Sequence, residues 1–221
     1  MASRSVETQS GTRTGLLLAA IVAEHGSETH PWFGSDPLLS GPEASRNLAD
    51  AIHFLCALHG RHPGVVDHAA TRTIDPVGRA WLASAAEAAS QERTLLTRLA
   101  VAAGPIPSTP GGGGSEAAIQ AQRGALATLA QSDRKGTALG AALAFASDWT
   151  PIRRLVIQPA AKRLGVDAWP VPFADQEKLR AVADEAEATE RALLFGAQQL
   201  ALQHRALWDL LEARAQARQA S

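Results

Sequence analysis

The sequence predicts an all-α protein, a single-domain bundle of about six or seven helices. Three observations lead there. Composition is skewed toward Ala, Leu and Arg, the residues of highest helix propensity. Apolar residues recur at three- and four-residue spacing over long stretches, and no stretch reads as a strand. Pro and Gly fall between those stretches, where helices start and stop.

Taken in order, residues 1–13 form a polar tail that is expected to be disordered. A helix from Thr14 to His25 stops at Gly26, and a loop from Ser27 to Ser40 carries Trp32 and Phe33. Ser40-Gly41-Pro42-Glu43 reads as a capping box opening a helix that runs to about His59. Gly60 and Pro63-Gly64 break it before a short helix, Val65 to Thr71. Asp75-Pro76 opens a long helix that ends at Gly104-Pro105. Residues 105–115, with Gly111-Gly112-Gly113-Gly114-Ser115, read as a flexible connector joining two halves of one bundle over residues 14–221; the run suits a synthetic linker and a natural loop alike.

Helix resumes from Glu116 to Gln131. Gly136 to Ala146 carries no charge on any side, so it belongs in the middle of the structure. Thr150-Pro151 reads as another start, with a kink at Pro159 before Gly165, and Asp148 as a helix end rather than a catalytic element. After the Trp169-Pro170-Val171-Pro172 turn, Asp175 caps the longest expected helix, Gln176 to about Arg214. In it Leu193, Ala197, Leu200, His204, Leu207 and Leu211 form a bundle seam.

Several function classes are excluded or disfavoured. Net charge is −1 with no basic excess, so no nucleic-acid footprint is visible. No apolar run reaches the length of a membrane span. Leu16 to Ala23, behind Arg4 and Arg13, faintly imitates a signal peptide, but Glu7 and the retained Met1 argue against cleavage, and a cytoplasmic location is expected. Cys56 is the sole cysteine, which rules out an internal disulfide and a thiolate-rich metal site; its apolar neighbours suggest a small buried hydrophobe. The glycine run leads into no phosphate-binding lysine, and neither G-x-S-x-G nor H-E-x-x-H occurs.

Helical spacing places a few polar residues among apolar ones, where a charge needs a partner. His59 and His62 continue the stripe of Leu48, Ile52 and Leu55. Glu92 shares the stripe of Trp81, Ala85, Ala88, Leu95 and Leu99, and Asp133 lines up with Leu126, Leu129 and Gly140 if the helix is continuous there. Glu190 and His204 lie on the last seam. His53, His59, His62 and His68 form the densest histidine group, open to three readings: helix capping, metal or haem ligation, or acid–base catalysis. Glu92-Arg93-Thr94-Leu95-Leu96 also matches Glu190-Arg191-Ala192-Leu193-Leu194.

Long helices with inward carboxylates and histidines resemble the ferritin-like and haem-oxygenase-like bundles, whose di-iron members bind metal through Glu and Glu-x-x-His. Helical spacing offers Glu92, Glu190, His59, Asp133 and His204 as candidate metal ligands, not all in one site. The chain departs from the pattern at Leu95 and Leu193, which stand where the histidines would, so the standard di-iron site is absent. The chain also resembles uncharacterised bacterial helical proteins, which implies no activity. Glu190 and His204 are roughly 21 Å apart along a continuous helix, too far to share one ion. The expected centre is therefore Glu92 with Glu190, joined by a histidine or Asp133, with Arg93 or Arg191 offering a structural ion pair instead. Three function classes follow: an interaction or scaffold protein, with a protein partner or as a homodimer and no cofactor; a metal- or haem-binding bundle with oxidoreductase potential; and a carrier of a small apolar ligand.

Overall fold

Gly26 ends the first helix, α1 (Arg13–His25), and the chain then turns through a 3-10 segment, Ser27–Thr29. The computed structural model describes residues 13–220; the tail expected over residues 1–13 lies outside them but for Arg13, which opens α1. The loop that follows contains a single helical turn, α2 (Asp36–Leu39), with Pro37 in its first turn. Ser40 does not cap the next helix. Its hydroxyl donates to Asp36 at 2.8 Å, and α3 (Ala44–His59) starts without a side-chain cap.

α4 (Val65–Arg72) begins where the Asp67 carboxylate accepts the Gly64 N–H, and α5 (Pro76–Ala103) where Asp75 accepts the Gly78 N–H. α6 is Gly112–Ala130, so three glycines of the expected connector form its first turn. The segment before α6 is tied down, since Pro107 O and Thr109 Oγ1 accept from Arg214.

Thr150-Pro151 opens no new helix: α7 (Thr137–Ile152) runs through Pro151. It passes into a widened π turn, Arg153–Ile157, and then α8 (Gln158–Leu164). Pro159 has no N–H to give, and the turn before it relaxes so that the Gln158 N–H reaches back five residues to Arg153 O. The expected long last helix is also divided. α9 (Gln176–Glu185) ends at Ala186, and α10 (Glu190–Gln219) restarts after a short turn. Tertiary packing explains the break, because Asp184 accepts the Gly15 N–H at 2.7 Å and draws α9 onto α1, while α10 follows α7.

No strand occurs among the described residues, and the architecture is an all-α bundle around one core. Its axis is α7, which packs against α10, α4, α1, α6 and α9. From Thr137 to Ala146 every residue is buried, as its uniform apolarity predicts. Small residues let α7 and α10 approach backbone to backbone: a Cβ on Gly140 would collide with the Leu193 carbonyl, and one on Gly196 with that of Thr137. None of the described helices is long and apolar enough to cross a membrane.

Candidate functional site

Within this core, α7 carries one carboxylate between its apolar turns. Asp148 is 1% exposed and lies where the 3-10 turn after α1 crosses α7. Its Oδ1 accepts the Ser27 N–H at 2.9 Å, and its Oδ2 accepts the Ser27 hydroxyl at 2.6 Å. The same Oδ2 meets Nδ1 of His204, from the α10 seam, at 2.7 Å. His204 Nε2 in turn lies 3.0 Å from His59 Nε2, at the last residue of α3. Three helices and a turn thus supply one buried chain: Ser27, Asp148, His204, His59.

The chain orders the protons. A carboxylate only accepts, so Asp148, already holding two hydrogen bonds from Ser27, takes the Nδ1 proton of His204. When His204 carries that proton alone, its Nε2 is the acceptor and His59 Nε2–H the donor. His59 Nδ1 then carries a free lone pair and makes no hydrogen bond among the described residues. Burial holds the His59 pKa well below its ordinary value of 6.5, and the neighbouring His204 lowers it further. The ring is boxed by Phe145 at 5.1 Å and Trp149 at 5.5 Å, centroid to centroid.

His59 is not sealed. It and Phe145 line a cavity of about 440 Å³ between the α3–α4 turn, α5 and α6. Leu58, Val66 and Leu126 give the cavity apolar walls, and arginines and histidines stand around it. An unprotonated imidazole facing such a space, held in one tautomer by a carboxylate-backed second imidazole, can accept or return a proton at Nδ1.

Glu92 occupies a neighbouring site of another kind. It is 2% exposed and pairs with Arg153, which is 0% exposed, at 3.0 Å. The indoles of Trp149 and Trp169 donate to it at 2.8 and 3.2 Å, and Arg153 Nη2 reaches Trp169 O at 2.9 Å. Trp149 joins the two sites, its N–H on Glu92 and its ring against His59.

The Glu92–Glu190 centre expected from sequence is not formed. Glu190 is half-buried and accepts from Thr14 at 2.8 Å, while Glu92 is taken by Arg153 rather than by Arg93. Arg93 pairs with Asp67 at 2.8 Å. Asp133 is fully exposed beside Arg72, because α6 ends at Ala130 and the stripe that was to bury it does not continue. No three His, Cys, Asp or Glu among the described residues are placed to hold a metal ion. His59 and His204 are the two candidates brought together, through each other rather than through a metal. Among the other histidines, His53 contacts Gly104 O at 2.8 Å, and His62 is exposed 3.8 Å from Asp67. Cys56 is half-buried, and burial pushes its thiol pKa up, the wrong direction for a reactive thiolate, against a smaller lowering by a Thr97 hydrogen bond.

Sequence reasoning missed Asp148, Arg153 and Ser27. The first two had a usable signal: they are the charges met next along a helix otherwise apolar on every side. Reading Thr150-Pro151 as a new start hid it. Ser27 carried no signal, since a serine after a helix-ending glycine is ordinary.

No curated protein and no solved structure matches this chain. A family match does, over residues 22–219, a span that takes in Ser27, His59, Asp148 and His204. The chain therefore belongs to the family of unknown function DUF6975.

Proposed function

We propose that the protein is an enzyme that moves a proton to and from a small substrate, with His59 as the general base. One observation carries this reading: the hydrogen-bonded chain from Asp148 through His204 ends at His59, on the wall of a cavity large enough for a small molecule. In the resting site His59 is neutral, and with its Nε2–H on His204 the lone pair left free is that of Nδ1. When Nδ1 takes a substrate proton, the imidazolium keeps its Nε2–H on His204. His204 keeps its Nδ1–H on Asp148, whose negative charge offsets the new positive one. Returning the proton from Nδ1 restores the start.

This reading is favoured over the scaffold role suggested by sequence, which gives no reason for a buried relay to end in an open cavity. It is also favoured over the di-iron chemistry of ferritin-like bundles, since Glu92 already has Arg153 and two indoles as partners. The test is a screen of p-nitrophenyl acetate, p-nitrophenyl phosphate and 2-oxo acids in deuterated water, read as hydrolysis or deuterium uptake. General acid–base catalysis contributes about 10²–10⁴-fold, so turnover by the wild type should fall at least about a hundredfold in His59→Gln and Asp148→Asn. Equal rates for wild type and His59→Gln on every substrate would sink the reading.

A further inference from the structure

The cavity beside His59 has a one-sided charge. Arg61, His62, His68, Arg93 and Arg123 all line it, and no described Asp or Glu does. Asp67, the nearby carboxylate, is already engaged with Arg93 at 2.8 Å and with the Gly64 N–H at 2.8 Å. Arg123 is half-buried and Arg61 exposed, and neither guanidinium has a hydrogen bond or ion pair among the described residues. On a chain of net charge −1 this is a local excess of positive charge. Low-dielectric walls such as Leu58, Val66, Leu126 and Phe145 strengthen its field inside the cavity. Both guanidiniums keep their hydrogen-bonding capacity open, so an arriving oxyanion would find unengaged donors.

We propose that the cavity binds a small oxyanion with an apolar body, a carboxylate or phosphate ester, held through its anionic group by Arg123 and Arg61 with its body against Phe145 and Leu126. Guanidinium groups suit this task because their planar fork donates two parallel hydrogen bonds to such an anion. The inference rests on the acid–base reading only for the atom that reacts, which would lie beside His59. A bound anion has a second consequence there: its negative charge favours the imidazolium and raises the His59 pKa toward neutrality, so the base strengthens when substrate arrives.

The experiment is calorimetric titration of the full chain with benzoate and phenyl phosphate, with benzyl alcohol and benzylamine as neutral and cationic matches. It is repeated on Arg61→Gln, Arg123→Gln and His59→Gln, and the histidines are followed by nitrogen-15 NMR. At least one anion should bind about tenfold or more tightly than either match, and the preferred one tells a carboxylate site from a phosphate site. Each arginine variant should weaken that anion about tenfold, the loss of one charge-assisted contact of about 1.4 kcal/mol. His59→Gln should still bind it, and in the wild type the bound anion should raise the His59 pKa. Benzyl alcohol binding as tightly as both anions, or anion affinity unmoved in both arginine variants, overturns the proposal. The two readings fail separately. Anion binding through the arginines without turnover removes the acid–base role alone; His59-dependent turnover of p-nitrophenyl acetate without anion binding removes the anion alone.

Discussion

His204 and His59 meet Nε2 to Nε2 at 3.0 Å, and only one of those two nitrogens carries the proton. The 2.7 Å contact of His204 Nδ1 with Asp148 holds a proton on that nitrogen, so a singly protonated His204 is the acceptor. Asp148→Asn should reverse that order. An amide that still accepts from Ser27 presents its NH2 to His204 Nδ1; His204 then carries its proton on Nε2, and His59 must move its own to Nδ1. Nitrogen-15 spectra of histidine-labelled protein should show the protonated nitrogen exchanged on both rings, turning His59 Nδ1 from an acceptor into a donor. Unchanged tautomers in this variant would mean that the Asp148 carboxylate does not direct the chain.

Stability should fall on the acid side through His59. Its folded pKa is depressed, by burial first and His204 second, so below about pH 6.5 the unfolded chain binds a proton that the folded site refuses. The stability linked to this group is complete above that pH and is lost as pH falls from there toward the lower folded value. His204 contacts the same ring, and Asp148 lies behind it, so the comparison must isolate His59. His59→Gln does so, since its amide can still donate to His204 but does not titrate. Urea midpoints measured at pH 7.5, 6.5 and 5.5 should decline more steeply for the wild type than for this variant. Parallel declines would assign the acid sensitivity elsewhere.

The two glutamates of the repeated E-R-x-L-L context should behave differently. Glu92→Ala leaves Arg153 charged at 0% exposure and strips the acceptor from two indoles, a loss of about 3–5 kcal/mol. Glu190→Ala removes the acceptor of the buried Thr14 hydroxyl and should cost less, about 1–3 kcal/mol. Denaturant unfolding of both variants gives the comparison directly. Equal losses would contradict the separation of the two sites.

Glycines here divide into those that permit contact and those that do not. Gly140→Ala and Gly196→Ala each drive a methyl into the backbone of the facing helix, so α7 and α10 must part, at a cost of about 1–3 kcal/mol or more. At Gly113 and Gly114 an added Cβ meets nothing within 4 Å, and both lie in the first turn of α6. Alanine at either should stabilise the protein by about 0.5–1 kcal/mol through reduced freedom of the unfolded chain. Melting temperatures should move down for the first pair and up for the second.

Sequence alone determined the fold class, most of the helices and their apolar faces, because helix period and the Gly/Pro breaks are properties of neighbouring residues. The stops at Gly26, Gly60 and Gly104, the central place of Gly136 to Ala146 and the inward aim of His59, Glu92 and His204 were all legible on that basis. Spacing also pointed Glu190 and Asp133 inward, and there it misled. The chain breaks at Ala186 to follow α1 and stops being helical after Ala130, and both facts depend on contacts distant in sequence. Which inward groups meet was decided only by the tertiary structure. Periodicity gives a direction around one helix axis, but a partner is set by the crossing and register of two. The close approach of α7 and α10 at Gly140 and Gly196 sets that register, bringing His204 to Asp148 and His59 and leaving Glu92 to Arg153.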